Sequence, residues 1–164
     1  DSNMVQRLDE GMQSLAEVIK KTTGKDITNY PGAGAAGGMG GGLLAFFNAE
    51  LKPGTELLLK AIDFSEKIKG ADLIITGEGK ADQQTAMGKV PYGILKEAQK
   101  EHIPVIVLAG SIENLPELNK AGFKGIFSIA PGPITLEKAM EPEFAKENIT
   151  RLVSQLYSVI TSFG

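Results

Sequence analysis

The sequence predicts an α/β fold: a parallel sheet with helices on both faces, in three layers. Three observations lead there. The runs Asp72 to Thr76 (DLIIT), Pro104 to Leu108 (PVIVL) and Gly125 to Ile129 (GIFSI) are short, β-branched and almost wholly apolar, as strands of a sheet buried on both faces read. Helical stretches lie between them, which gives the order βαβαβ with right-handed crossovers. No composition break marks a linker, and no repeat or low-complexity tail is evident.

Taken in order, Leu8, Met12, Leu15, Ala16 and Ile19 recur at helical spacing and Gly24 supplies a stop, so a helix is expected over Asn3 to Thr23. A glycine-rich segment follows from Pro31 to Leu43 (PGAGAAGGMGGGL). The run from Gly41 to Asn48 (GGLLAFFN) reads as a short buried helix with Phe46 and Phe47 in the core. Its N-terminus would point backbone N–H groups at whatever the glycine segment holds. Pro53-Gly54 marks a turn, and Thr55 caps a helix carrying Leu57, Leu58, Ala61 and Ile62. Asp63 starts a further turn that ends at Gly70. The clearest helix between strands is Tyr92 to Glu101, with Pro91 in its first turn. Phe144, Ile149, Leu152, Val153, Leu156 and Ile160 place a closing helix over Glu143 to Ser162.

Composition narrows the function classes. A chain of 164 residues with 42% hydrophobic and 23% charged content suits a folded domain rather than a disordered one. A net charge of −3 offers no polycationic footprint for nucleic acid. The absence of cysteine excludes disulfides, thiolate metal sites and a cysteine nucleophile, and the single histidine excludes mechanisms needing two imidazoles. No apolar run approaches the roughly 20 residues of a membrane span, and the N-terminus lacks a basic-then-apolar signal pattern. A cytoplasmic protein is therefore expected.

Two segments carry the chemistry. Seven of the eleven positions from Gly32 to Gly42 are glycine, so the backbone can approach a ligand closely and adopt positive φ. Gly32, Gly34, Gly37 and Gly38 are the candidates for closing amides on phosphate or carboxylate oxygens. The spacing fits GxGxxG, yet no β-branched strand precedes it as a dinucleotide fingerprint requires, and no P-loop occurs because Gly88-Lys89 is followed by Val90. In an open parallel sheet the binding crevice lies beyond the carboxyl ends of the strands. That rule selects three loops: Gly77 to Lys89, Ala109 to Asn114, and Ala130 to Thr135.

The first loop is the richest. Glu78 and Asp82 are suited to magnesium, which is held by one or two carboxylates plus phosphate oxygens and waters. Lys89, just ahead of Pro91, offers an ammonium to one anionic group, while Gln83, Gln84 and Thr85 offer neutral hydrogen bonds. Ser111 is the polar group of the second loop. Each has a structural alternative. Glycine segments also serve helix termini and close packing, Asp82 suits a helix N-cap, and Lys89 suits a solvated surface. His102, at a helix end, suits the dipole or the surface rather than general-base work.

The sequence GAGAAGGMGGGL, the run ADLIITGEGKADQQTAMGKVPYGI from Ala71 to Ile94, and the later VLAGSI and SIAPGPITLEKAM closely resemble the glycerate kinase family of the bacterial type. The GEGxxDxQTxxGKxP run is long and chemically mixed, and the likeness extends in order across essentially the whole chain. Family members are more than twice as long, and the chain resembles their C-terminal portion.

The resemblance implies a Rossmann-like, two-domain α/β kinase with its site between the domains. That enzyme moves the γ-phosphoryl of ATP to D-glycerate, with Mg²⁺, to give a phosphoglycerate. Residues 1–50 would belong to a second lobe and 51–164 would form the βαβαβ unit, with the isolated fragment inactive. The implied roles are metal ligation by Glu78 and Asp82, with Asp82 alternatively the base, and charge neutralisation by Lys89. Phosphate or substrate binding falls to Gly32, Gly34, Gly37, Gly38, Gly77, Gly79, Gln84, Thr85 and Ser111. The phosphorylated hydroxyl, the oligomeric state, and which segment holds ATP and which glycerate stay open. Two other classes compete: a non-catalytic nucleotide or small-anion binding module on the same fold, and a dinucleotide-dependent enzyme using the GxGxxG spacing.

Overall fold

The computed structural model describes residues 1–113 and 115–162. Asn114, the end of the second selected loop, lies outside them. The chain divides into two compact units, Asp1–Lys52 and Pro53–Gly164.

In the first unit, α1 (Ser2–Thr23) opens on Asp1, whose carboxylate accepts the Asn3 amide at 2.8 Å, and closes on Gly24 at φ 75°. That left-handed glycine ends the helix as its position in the sequence predicts. α2 spans Ala35–Phe47, but Ala36, Gly37 and Gly38 sit at φ 51°, 68° and 86°, so regular helix starts at Met39 rather than Gly41. The inward face of α2 is Gly40, Gly41 and Ala45. A side chain at Gly41 would lie 2.7 Å from Ile27 Cδ1, and one at Gly40 would strike the Gly32 carbonyl, so packing demands glycine at both. With that face inward, Phe46 and Phe47 are left outside, at 62% and 77% exposure, which corrects their expected place in the core. Ile19, Ile27 and Ala45 form the small core of this unit.

The second unit begins with α3 (Gly54–Ala61), whose N-cap is Pro53 rather than Thr55, and α4 (Phe64–Lys67). Its sheet has three parallel strands, β1 (Ile74–Ala81), β2 (Val105–Ile112) and β3 (Gly125–Ser128), in the order β1-β2-β3. α5 (Val90–Lys100) and α6 (Leu115–Ala121) are the crossovers. Pro91 lies in the first turn of α5. α7 (Leu136–Ala139) is capped by Thr135, and α8 (Pro142–Thr161) closes the chain. Val105, Val107 and Ala109 line one sheet face and pack with Leu95 and Ala98 of α5, Leu118 of α6, and Ile68. On the other face Ile106 and Leu108 are buried, while Ile75, opposite Ile106 in register, is 43% exposed. His102, just past α5, is exposed at φ 59°. No helix among the described residues is long and apolar enough to cross a membrane.

Both long strands run further than their apolar stretches. The expected end of β1 at Thr76 gives way to continued pairing of Glu78 with Ala109, Lys80 with Ser111 and Ala81 with Ile112. Glycines and charged side chains read as loop, but the ladder is made by backbone groups and continues through them. Gly77, Glu78, Gly79 and Ser111 therefore lie on strands rather than in exit loops.

Candidate functional site

Glu78 pairs in register with Ala109, a core residue, so its side chain lies on the sheet face that α5 and α6 cover. That side chain is 11% exposed. Its Oε2 is 3.8 Å from the Lys89 ammonium, and its Oε1 is buried without a hydrogen-bond partner among the described residues. A buried carboxylate oxygen with no donor is costly and calls for an explanation.

Asp82 follows β1 in extended geometry and caps a 3-10 turn, Gln83–Met87. Its Oδ1 accepts the Gln84 amide at 2.9 Å and the Lys89 Nζ at 3.2 Å. Gly88, at φ 112°, then turns the chain into α5, for which Lys89 is the N-cap residue. The spacing from Asp82 to Lys89 thus folds one carboxylate and one ammonium into contact, with Glu78 arriving from the strand. Burial pushes the Asp82 carboxyl upward, but the hydrogen bond and charge of Lys89, with the Gln84 and Thr85 amides, outweigh it and hold the group below its ordinary value. Lys89, 38% exposed, is shared by the two carboxylates.

Other expected residues fall differently. Thr85 is fully buried, and its hydroxyl accepts the Asp82 amide at 2.9 Å. This corrects the expectation that it presents a hydrogen bond to a ligand, because the group has no surface. Gln84 contributes its backbone amide to Asp82, and its side chain is exposed. Ser111 is exposed and stands in register with Lys80, two residues beyond Glu78. Lys80 pairs with Glu113 at 2.9 Å. Sequence reasoning missed Gly110, whose signal was the glycine that closes the apolar run of β2. An added Cβ there would lie 2.7 Å from the Gly79 carbonyl oxygen, so the backbones of β1 and β2 approach closely beside Glu78.

In the first unit the glycine segment borders a cavity of about 500 Å³ against α1. Gly34, Gly38 and Gly41 line it together with the carboxylates of Asp9 and Glu17, and no lysine or arginine lines it among the described residues. The amides of Gly38 and Gly41 are already spent on the carbonyls of Gly34 and Ala33, at 3.2 and 2.8 Å. Taken alone, the lining of this cavity is acidic rather than cationic. At Gly37 and Gly38 no neighbour lies within 4 Å of an added Cβ, so their positive φ, not packing, accounts for glycine there.

The sequence matches the description "Glycerate kinase family" over residues 1–161. The chain belongs to that family. It is 41% identical to a glycerate kinase of Bacillus cereus over 160 residues, covering 97% of this chain and 42% of that protein. It is 42% identical to the glycerate 2-kinase of Escherichia coli K12 over 149 residues, covering 90% of this chain and 39% of that one. A crystal structure of a Salmonella typhimurium LT2 protein proposed to be a glycerate kinase 2 aligns with a TM-score of 0.71 at 33% identity, covering 99% of this chain and 40% of that chain. The chain thus spans about two fifths of the length of these relatives. The α/β fold with a parallel sheet agrees with that neighbour.

Proposed function

We propose that this chain supplies part of the active site of an ATP-dependent glycerate kinase, which moves the γ-phosphoryl of ATP to a hydroxyl of D-glycerate. The observation that carries the reading is the convergence of Glu78, Asp82 and Lys89 at the carboxyl end of β1, where ligands sit in open parallel sheets. The family match supports it, and the alternative of a dinucleotide enzyme loses its basis because α1, not a strand, precedes the glycine segment.

Phosphoryl transfer asks a protein for positioning and charge stabilisation of a loose transition state, not for histidine or cysteine chemistry. Glu78 and Asp82 offer the hard oxygens that Mg²⁺ prefers, and two carboxylates suffice because that ion keeps waters and phosphate oxygens in its shell. Glu78, with its orphaned Oε1, is assigned as a metal ligand. When bound, the ion would neutralise charge on the phosphate oxygens.

Asp82, held below its ordinary value, is ionised at neutral pH and weakly basic. As the alternative to metal ligation, Asp82 orients the glycerate hydroxyl and accepts its proton late, as the new P–O bond forms, which a loose transition state tolerates. Lys89 offsets charge on the transferred phosphoryl group or the glycerate carboxylate. Gly32, Gly34, Gly37 and Gly38 are assigned to close backbone approach of a ligand, with Gly77, Gly79 and Ser111 at the rim of the carboxylate site. The test is ADP release by the complete polypeptide that carries this sequence, with ATP and with or without D-glycerate, and phosphorus NMR of the product. Glycerate-dependent release with a new phosphoglycerate resonance is expected; release indifferent to glycerate would overturn the assignment.

A further inference from the structure

We infer that Thr85 is a positioning residue: its buried hydroxyl fixes the backbone of Asp82 and so aims the Asp82 carboxylate at Lys89 and the reacting groups. The inference rests on the functional reading above for the identity of the reaction, and on geometry for everything else. Thr85 is 0% exposed. Asp82 and Thr85 are tied reciprocally. The Asp82 amide donates to Thr85 Oγ1 at 2.9 Å, the Thr85 amide donates to the Asp82 carbonyl at 2.9 Å, and the Asp82 carboxylate accepts the amides of Gln84 and Thr85. This is the logic of a capping box, with aspartate at the cap and threonine in place of the usual acid three residues on.

The consequence is mechanical. A free Asp82 side chain could rotate about its own bonds and about the flexible start of the turn. With its amide and its carboxylate both committed to the turn, only one orientation keeps every bond, and it is the one that places Oδ1 3.2 Å from the Lys89 Nζ. The turn packs against α5 and α6, with Thr85 as its buried anchor. Thr85 has no surface through which to touch nucleotide or glycerate, so whatever it contributes passes through Asp82.

Hydroxyl and methyl can be separated by two substitutions, because valine keeps the methyl volume without the acceptor and serine keeps the acceptor without the methyl. In the complete polypeptide, Thr85→Ser is expected to keep kcat within about threefold of wild type. Thr85→Val is expected to lose about tenfold to a hundredfold in kcat, the scale of a misplaced reacting group, with KM for ATP and for glycerate within about threefold. Hydrogen exchange of the peptide over residues 82–87 should speed up in Thr85→Val and not in Thr85→Ser.

A ranking set by packing, with valine active and serine impaired, would overturn the inference. So would a change in KM with kcat intact, which marks a ligand contact. If the wild type shows no glycerate-dependent turnover, the functional reading fails instead. The exchange experiment then decides the positioning claim alone, and equal protection in Thr85→Val and wild type refutes it.

Discussion

Replacing Gly110 by alanine tests the close approach of β1 and β2 that sets Glu78 in place. The new Cβ would stand 2.7 Å from the Gly79 carbonyl oxygen, where ordinary van der Waals contact begins at 3.4 Å. The obstacle is backbone, not the tip of a flexible side chain, so one strand must move by about 0.7 Å or the ladder must open. Gly110 does not adopt positive φ, so the cost is steric rather than a matter of backbone preference. Overpacking of this kind costs about 1–3 kcal/mol. At about 2–4 °C per kcal/mol for a domain of this size, that is a fall in Tm of roughly 2–12 °C. Because Gly79 adjoins Glu78, the same shift displaces the carboxylate, and kcat should fall by about tenfold to a hundredfold. Calorimetry and ADP-release kinetics on the complete polypeptide measure both. A Tm within 1 °C of wild type together with wild-type kcat would refute the claim that the two strands are in contact there.

Other outcomes follow from single residues. Leu95→Ala removes a fully buried side chain from the core between α5 and the sheet. It should cost about 2–5 kcal/mol in denaturant unfolding, as such truncations do. Lys89→Met leaves Glu78 and Asp82 as uncompensated like charges. The Asp82 carboxyl should then titrate nearer its ordinary 3.8 in carbon NMR, and kcat/KM should fall by about 10²–10³. Asp26 is held at about 2, against an ordinary 3.8, chiefly by its hydrogen bond from Lys20. A depressed carboxylate stabilises the fold above its unfolded value, so this contribution is present above about pH 4 and is lost as pH falls toward 2. In Asp26→Asn that part of the acid-side slope disappears, and because the pair is exposed the difference shrinks at high salt.

The sequence made the fold readable wherever apolar periodicity decided it. DLIIT, PVIVL and GIFSI became strands, and Gly24 and Pro91 stopped or started helices as their chemistry requires. It misled where backbone pairing or close packing overrode side-chain character. GEGKA reads as loop but is strand, since β2 offers a continuous ladder beside it. Phe46 and Phe47 read as core but are outside, since a glycine face was needed against Ile27 and Ala33. In the site, the residue types of Glu78, Asp82 and Lys89 were legible, and so was the capping role of Asp82 as an alternative. That the cap and the ligand role coexist in one residue was not, because it depends on the 3-10 turn and on the burial of Thr85. The glycine segment showed the opposite pattern. Its composition suggested an anion cradle, while Asp9 and Glu17 on α1, distant in sequence from the glycines, reach the same cavity only through folding.

The most direct measurement compares wild type and Asp82→Asn in glycerate-dependent ADP release by the complete polypeptide, with calorimetry of both. The geometry predicts turnover in wild type, and a loss of about 10²–10⁴ in kcat in the variant with native-like melting. A natively folded Asp82→Asn that turns over like wild type would contradict the central claim that this carboxylate takes part in phosphoryl transfer.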